Sequence, residues 1–425
     1  MTETFLHYIW KNRLFNFNQL KTVDGQEVEI LNPGIYNTNA GPDFFNAQLR
    51  IDSTLWAGNV EIHILASDWI KHDHQKDASY DSCILHVVHE NDAVTRRMDG
   101  SIIPAIELKG KYPNYLWDNF IQLISENEWV SCSHRLKEIE HDVWIQLFED
   151  KSEERLRLKA QHILISLEGL KNDWEECFYQ YLCKNFGFQL NGMPFEMLAR
   201  SLPLKIVRKE QGNSANLEAL FYGQAGMLDR DFSDDYPIDL KKRFAFLQSK
   251  YSLKPIHPST WKFLRMRPVN FPTIRLAQMI RLIQNTNNLF AIARDLENLK
   301  DFYNLFGFPV HDYWTNHYLF EKETAPKDKT IGKTSVDNII INTVSPFLYA
   351  WGIFTGSDSY KMIAEELLSK LSPENNRIIE KWSNCGVKAE NAGHSQALIQ
   401  LKQYHCSEKK CLTCSIGMKL INTLP

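Results

Sequence analysis

The sequence predicts an α+β protein in which an N-terminal part of mixed helices and strands precedes a larger all-α part. Two observations predict this class. Runs of alternating or continuous apolar residues, which are typical of strands, occur in roughly the first quarter of the chain. From about residue 114 onward, apolar residues recur at helical spacing over long segments. We therefore expect one domain over residues 1–115 and a helical domain over residues 116–425.

The N-terminal elements follow from apolar periodicity and from turn residues such as Pro33-Gly34 and Asp99-Gly100. The latter pair predicts a hairpin turn. Ser67 is a typical residue before the start of a helix. The predicted order is α-β-β-β-α-β-β, with a helix over 3–20, strands over 27–32, 43–52 and 58–65, a short helix over 67–76, and strands over 83–90 and 102–109.

The C-terminal part is predicted to be entirely helical, because its apolar residues keep a spacing of three to four over long stretches. Proline and glycine lie mainly between these stretches. The predicted helices span residues 138–170, 172–186, 194–202, 214–228, 238–250, 273–300, 334–353 and 360–384.

Composition and charge restrict the class of protein. The 425 residues are 44% hydrophobic and 24% charged, as in ordinary globular proteins. A net charge of −4 argues against a protein that coats nucleic acid through bulk charge, although a local basic groove remains compatible with it. The chain lacks an apolar run of the ~20 residues that cross a bilayer, and its N-terminus does not resemble a signal peptide. We expect a cytoplasmic protein without a membrane partner.

Asp43, Glu61 and His63 form the first candidate site. Side chains alternate along a strand, so Glu61 and His63 share one face. Strict alternation would turn Asp43 toward the opposite face, so it must lie just outside its strand or beyond a bulge to meet Glu61. Two carboxylates would then hold Mg²⁺ or Mn²⁺. His63 titrates near neutrality and would deprotonate or orient the attacking water.

These residues carry a resemblance. Pro42-Asp43 and Glu61-Ile62-His63 are similar to the signature of the PD-(D/E)xK nuclease superfamily, with His63 in place of the usual lysine. The resemblance implies a restriction-endonuclease-like αβββαβ core and metal-dependent cleavage of nucleic acid. Over nearly its whole length the chain also resembles an uncharacterised bacterial family known only as a domain of unknown function, through residues 39–44, Trp56, 58–63 and 67–69.

A second assignment is open in the same region. Glu107 and Lys109 form a literal Glu-x-Lys on a predicted strand, and Asp92 or Asp99 lies upstream. These residues would supply the catalytic pair, or Lys109 alone would supply the missing ammonium group. Against this assignment, Asp99-Gly100 is better explained as turn chemistry.

Histidines are concentrated around the motif. Five of the 14 histidines lie between residues 63 and 89, and we expect His72 and His74 to take part in catalysis. The segment from Trp69 to His74 is similar to the Trp/His-rich segment of mismatch-repair endonucleases, a resemblance that implies assistance to hydrolysis. His86 and His89 are three residues apart on a strand and should face opposite ways.

Cys406, Cys411 and Cys414 are the only clustered cysteines among eight. Three thiolates at this spacing predict a structural zinc ion or iron–sulfur cluster with a remote fourth ligand. Cys385 is our candidate for that ligand, and the alternatives that stay open are His394, His405 and Cys132. The competing interpretation is three ordinary thiols packed as small apolar groups.

Arg265, Arg267 and Arg275 flank an aromatic and proline-rich segment, a combination that suits contact with phosphates and bases. The alternative interpretation is a solvated helix start with structural prolines. Together these features predict a metal-dependent nuclease that acts on DNA or structured nucleic acid, with the helical part gripping the substrate. The alternative is a non-catalytic nucleic-acid-binding or scaffold protein with a degenerate nuclease-like fold.

Overall fold

The computed structural model describes residues 1–16, 20–296 and 298–424. It divides into two compact units, one formed by residues 1–143 together with 403–424, the other by 144–402. The first contains a mixed sheet flanked by helices, and the second is mostly helical. The α+β class is thereby confirmed. The division falls at residues 143/144, where 115/116 was expected, and the last residues belong to the first unit.

Sheet and helices of the first unit alternate along the chain much as the sequence predicts. Its central strands are rich in buried apolar residues, and β5 is buried on both faces over its first six residues. The elements are α1 (Glu3–Lys11), β1 (Val28–Asn32), β2 (Ile35–Tyr36), β3 (Phe44–Ile51), β4 (Thr54–Leu65), α2 (Asp68–Lys71), β5 (Cys83–Glu90), β6 (Ala105–Glu107) and α3 (Asn114–Ser125).

The sheet order is β1-β3-β4-β5-β6, with β2 paired to β3. β1 and β4 are antiparallel to β3, whereas β5 is parallel to β4 and β6 is parallel to β5. The chain passes from β4 to the parallel β5 through α2, since parallel neighbours need a crossover connection. Gly58 allows β4 to lie close to Ser82, which directly precedes β5, because a Cβ at Gly58 would lie 2.6 Å from the carbonyl oxygen of Ser82.

A bulge in β3 orients the start of that strand. The pairing of β3 with β4 shifts register between Phe44 and Ala47, and Asn46 adopts a φ of 56° within this interval. Asp43 precedes the strand directly, and Phe44 pairs with Val60. Asp43 therefore lies both outside the strand and beyond a bulge, and either position was predicted to let it meet Glu61.

Two N-terminal predictions differ from the structure. The predicted helix over 3–20 ends at Lys11, where Asn12 caps it and Arg13 adopts a φ of 51°; residues 17–19 lie outside the described part of the chain. Asp99-Gly100 does form a turn, closed by a bridge between Arg96 and Ile102, but the following strand, β6, pairs in parallel with β5. The Asp99-Gly100 turn reverses the chain locally, but it does not determine which strand β6 pairs with or in which direction.

The second unit has one large apolar core. Its helices, with the one that leads into it, are α4 (His141–Gly169), α5 (Trp174–Phe186), α6 (Phe188–Ser201), α7 (Leu204–Glu210), α8 (Ser214–Gln224), α9 (Asp235–Tyr251), α10 (Pro272–Asn285), α11 (Leu289–Asp295), α12 (Leu299–Phe306), α13 (Tyr313–Asn316), α14 (Lys333–Ile339), α15 (Ser345–Thr355), α16 (Asp358–Lys370), α17 (Arg377–Asn384) and α18 (Ala392–Gln400). Among the residues described, none of these helices has the length and apolar content that a bilayer span requires.

The expectation of an all-α C-terminal part is wrong in one detail. A two-stranded antiparallel hairpin, β7 (His317–Leu319) with β8 (Lys322–Glu323), interrupts the helices. The predicted helix over 273–300 spans α10, α11 and the first residues of α12. The predicted helix over 360–384 is two helices, and Pro373 lies in the break between α16 and α17. The final helix, α19 (Ser415–Asn422), packs on α3 in the first unit.

Candidate functional site

Asp43 and Glu61 face each other across β3 and β4 through a reciprocal pair of hydrogen bonds. The backbone N–H of Asp43 donates to Glu61 Oε2 over 3.1 Å, and the backbone N–H of Ile62 donates to Asp43 Oδ2 over 2.9 Å. One oxygen of each carboxylate thus accepts a hydrogen bond from the backbone at or next to the other residue. The second oxygen of Glu61 points toward histidines, with Oε1 3.5 Å from His63 Nε2 and 3.3 Å from His74 Nε2.

Three imidazoles complete the cluster. The ligand atoms of His63, His72 and His74 all lie within 4.8 Å of one another. His63 comes from β4, His72 ends α2, and His74 starts the 3-10 turn that follows. His74 stacks on the ring of Tyr80 at 3.8 Å between centroids, which fixes its orientation. The structure thus brings together all five residues that the sequence proposed for this site.

A chain of hydrogen bonds holds His63 from behind. Its Nδ1 lies 2.8 Å from His86 Nε2, and His86 Nδ1 lies 3.3 Å from Thr95 Oγ1. His86 is on the neighbouring strand β5 and is fully buried. Because Nδ1 is occupied in this chain, Nε2 is the nitrogen that faces the cluster, as in metal-bound histidines supported by an outer partner.

Burial governs the protonation of the site. His63 is 1% exposed, and burial, reinforced by the neighbouring His86, lowers its pKa to about 2. Burial likewise lowers the pKa of His74. Glu61 is 5% exposed; burial, followed by repulsion from Asp43, raises its pKa well above the usual range. His63 is therefore neutral at pH 7 and suited to bind a cation, which revises the expectation that it titrates between pH 6 and 7 as a catalytic base.

Two residues of the site, both on α1, were not predicted from the sequence. His7 Nε2 lies 3.1 Å from Asp43 Oδ2, and Glu3 Oε1 lies 3.9 Å from His63 Nε2. Among the described residues, the buried Nδ1 of His7 has no hydrogen-bond partner. The signal was present in the sequence, because Glu3 and His7 are four residues apart and share one face of the predicted helix.

The donor set fits a divalent ion. Carboxylate oxygens suit Mg²⁺ and Mn²⁺, whereas imidazole nitrogens favour transition metals. Three close imidazoles beside Glu61 therefore fit Mn²⁺ better than Mg²⁺. His7, whose Nε2 contacts Asp43 and whose buried Nδ1 has no hydrogen-bond partner among the described residues, agrees with a site that accommodates a further group.

The rival pair lies elsewhere on the sheet. Glu107 accepts a hydrogen bond from the backbone N–H of Asn91, and Lys109 forms an exposed ion pair with Glu90 at 2.7 Å. Asp99 caps its own turn through the N–H of Ser101, and Asp92 accepts hydrogen bonds from Ser67. His89, on the other face of β5 from His86, lies 3.4 Å from the hydroxyl of Tyr112. Each of these residues thus has a structural role.

Arg265, Arg267 and Arg275 line one cavity of about 720 Å³ in the second unit. Among the described residues that line this cavity, none is acidic. Arg275 is buried, donates to Asn270, Gln278 and Ser335, and stacks on the ring of Phe188. Burial lowers its pKa to about 10. Arg265 and Arg267 are exposed at the rim, so those two are available to an anionic ligand while Arg275 supports the wall.

The clustered cysteines lie in the first unit. Cys406, Cys411 and Cys414 line a small cavity together with Cys132. Of the open alternatives, His405 lines the same cavity, whereas His394 stacks on Phe148 in the second unit. Cys385 is the C-cap of α17, also in the second unit, and its role as a ligand stays a prediction.

A fold of this topology with a buried carboxylate–imidazole cluster defines a protein with a candidate metal centre on a mixed sheet. The chain belongs to the family described as protein of unknown function (DUF2851), whose model matches residues 3–377. No curated protein and no solved structure matches the chain.

Proposed function

We propose that this protein is a metal-dependent nuclease that hydrolyses phosphodiester bonds at the Asp43–Glu61–His cluster. The observation that carries the proposal is the convergence of Asp43, directly before β3, and Glu61, on β4, with three imidazoles whose ligand atoms lie within 4.8 Å of one another. Such a set can bind a divalent ion and still leave oxygen and nitrogen atoms free to act on water.

The order and pairing of elements support the nuclease class. Antiparallel strands β1, β3 and β4 follow α1, and α2 leads from β4 into the parallel β5. With the two-residue strand β2 set aside, this order is similar to the αβββαβ order that the resemblance to PD-(D/E)xK nucleases implies, and the similarity supports the proposal. Asp43 comes at the start of the second of those strands and Glu61 within the third, as the signature requires.

Each residue has a role that follows from its surroundings. Asp43, Glu61 and His63 would hold the ion, because they are the most firmly positioned by backbone and buried partners. The bound ion supplies Lewis-acid stabilisation of the phosphate and a water of lowered pKa. His74, less buried than His63 and fixed against Tyr80, would orient water or accept its proton. The cavity with Arg265 and Arg267 at its rim would bind substrate phosphates.

The test uses the purified full-length protein with end-labelled single- and double-stranded DNA and RNA, in Mg²⁺, Mn²⁺ or a chelator. We expect cleavage that depends on the ion, is faster in Mn²⁺, and is lost in Asp43→Asn. Asp92→Asn is the matched control, since Asp92 also accepts a backbone hydrogen bond but lies outside the cluster. Cleavage by Asp43→Asn at the wild-type rate would refute the proposal. Binding of nucleic acid without cleavage in either ion would favour the non-catalytic alternative.

A further inference from the structure

Half of the cysteines of this chain surround one small cavity. Cys132, Cys406, Cys411 and Cys414 line it, together with His405 and Lys410. The cavity measures about 20 Å³, slightly more than the ~10–15 Å³ that one water-sized sphere needs. None of the eight cysteines is disulfide-bonded, and all eight lie in the described part of the chain.

The C-terminal segment folds tightly, and its three thiols line the same cavity. After Cys406 the chain reverses, with the N–H of Lys409 donating to the Cys406 carbonyl and Lys409 at a φ of 51°. Cys411 begins a 3-10 turn, and Cys414 is the N-cap of α19. Helix α19 passes so close to this turn that a Cβ on Gly417 would lie 2.1 Å from the Cys411 carbonyl oxygen. The packing of this turn therefore depends on Gly417.

The fourth thiol comes from a distant part of the sequence. Cys132 is the N-cap of the 3-10 helix Ser133–Glu138, which follows α3. Other contacts join the same two segments: Asn119 Nδ2 donates to the carbonyls of Ile421 and Thr423, and Lys409 Nζ donates to the carbonyl of Ile124. The cavity thus lies where the chain end docks on the region around α3.

We infer that Cys132, Cys406, Cys411 and Cys414 bind one thiolate-ligated metal centre, either a zinc ion or an iron–sulfur cluster, that fixes the chain end to the first unit. Four sulfur ligands are the usual complement of both centres. This centre is independent of the nuclease proposal, because its ligands are separate from Asp43, Glu61 and the histidines.

The experiment is elemental analysis and spectroscopy of the full-length protein purified without oxygen. Iron with the broad visible absorption of a cluster supports the inference. Zinc in a colourless protein supports it when the cobalt-substituted protein also shows sulfur ligation. In the zinc case, replacement by Co²⁺ should give sulfur-to-cobalt absorption, which the histidine cluster does not produce. This readout separates the cysteine centre from any ion at Glu61.

Cys132→Ser and Cys411→Ser should each lose the metal signal and melt at a lower temperature, because metal binding contributes to folding. Cys177→Ala is the control, since it removes a buried thiol in the other unit, and Asp43→Asn should also keep the signal. If a ligand variant does not fold, the wild-type protein still gives the decisive result. Folded wild-type protein with neither iron nor sulfur-to-cobalt absorption, from cells supplied with zinc and iron, would overturn the inference.

Discussion

Glu61→Gln should change activity and stability in opposite directions. The substitution keeps the shape of the side chain, and the amide oxygen of glutamine can still accept the hydrogen bond from the N–H of Asp43. It replaces the carboxyl oxygen that faces His63 and His74, which would ionise when a metal ion binds, with a neutral amide group. An anionic ligand is thereby lost from the proposed metal site while the packing is retained.

The magnitudes follow from the burial of Glu61. Its pKa is raised above the ordinary value of 4.5, so folding at pH 7 must place a proton on the carboxyl group. Each pH unit above the ordinary pKa of 4.5 adds about 1.36 kcal/mol to the free-energy cost of protonating the folded protein. The cost is therefore about 3 kcal/mol at pH 7 and vanishes below pH 4.5. Metal-free Glu61→Gln should thus be more stable than the wild type by up to about 3 kcal/mol, increasingly so as pH rises from 4.5. Cleavage should fall about 10²- to 10³-fold, as expected for ~3–4 kcal/mol of lost transition-state stabilisation.

The assay pairs Mn²⁺-dependent cleavage with denaturant unfolding in a chelator at several pH values. Glu107→Gln is the matched control, because Glu107 lies in the same sheet and accepts a comparable backbone hydrogen bond from Asn91 over 3.0 Å. It should change neither quantity appreciably, and it also tests the rival Glu-x-Lys pair. Cleavage by Glu61→Gln within about threefold of the wild-type rate, or a lower stability of the metal-free variant at pH 7, would refute the reasoning.

Two further predictions concern His63 and the arginine cavity. His63→Lys would restore the usual superfamily pattern, but it should abolish cleavage and lower the melting temperature, because an ammonium group would be buried beside His72 and His86; wild-type melting and activity would contradict this. The double variant Arg265→Ala/Arg267→Ala should weaken nucleic-acid binding and lower the slope of log affinity against log salt by up to about 2, measured by fluorescence anisotropy. Arg200→Ala, which removes an exposed arginine paired with Glu196, is the control and should leave the slope unchanged.

The sequence determined the candidate site because its signal is local. Glu61 and His63 share a face of one strand through simple alternation, and His72 and His74 follow on the next short elements. The need for a bulge or an offset at Asp43 could also be deduced from strand periodicity. The bulge itself depends on pairing with β4, which a single strand does not specify.

The sequence predicted the ends of helices and the pairing of strands less well. The first helix kept a helical pattern beyond Lys11, but Arg13 adopts a left-handed conformation there. Similarly, alternation in residues 102–109 predicts a strand without specifying whether its partner is parallel or antiparallel. Parallel pairing of β6 with β5 is decided by the sheet as a whole.

Only the tertiary structure decided how distant residues meet and what that does to their chemistry. Glu3 and His7 join the site because α1 packs on β4, and Cys132 reaches the C-terminal cysteines because the chain end returns to the first unit. The pKa of His63 changes for the same reason. The sequence alone suggests the ordinary pKa of an imidazole, but this pKa falls to about 2 because β4 and β5 bury the side chain beside His86. Local patterns fix which groups a strand or helix presents, whereas desolvation and long-range contact arise only when those elements pack together.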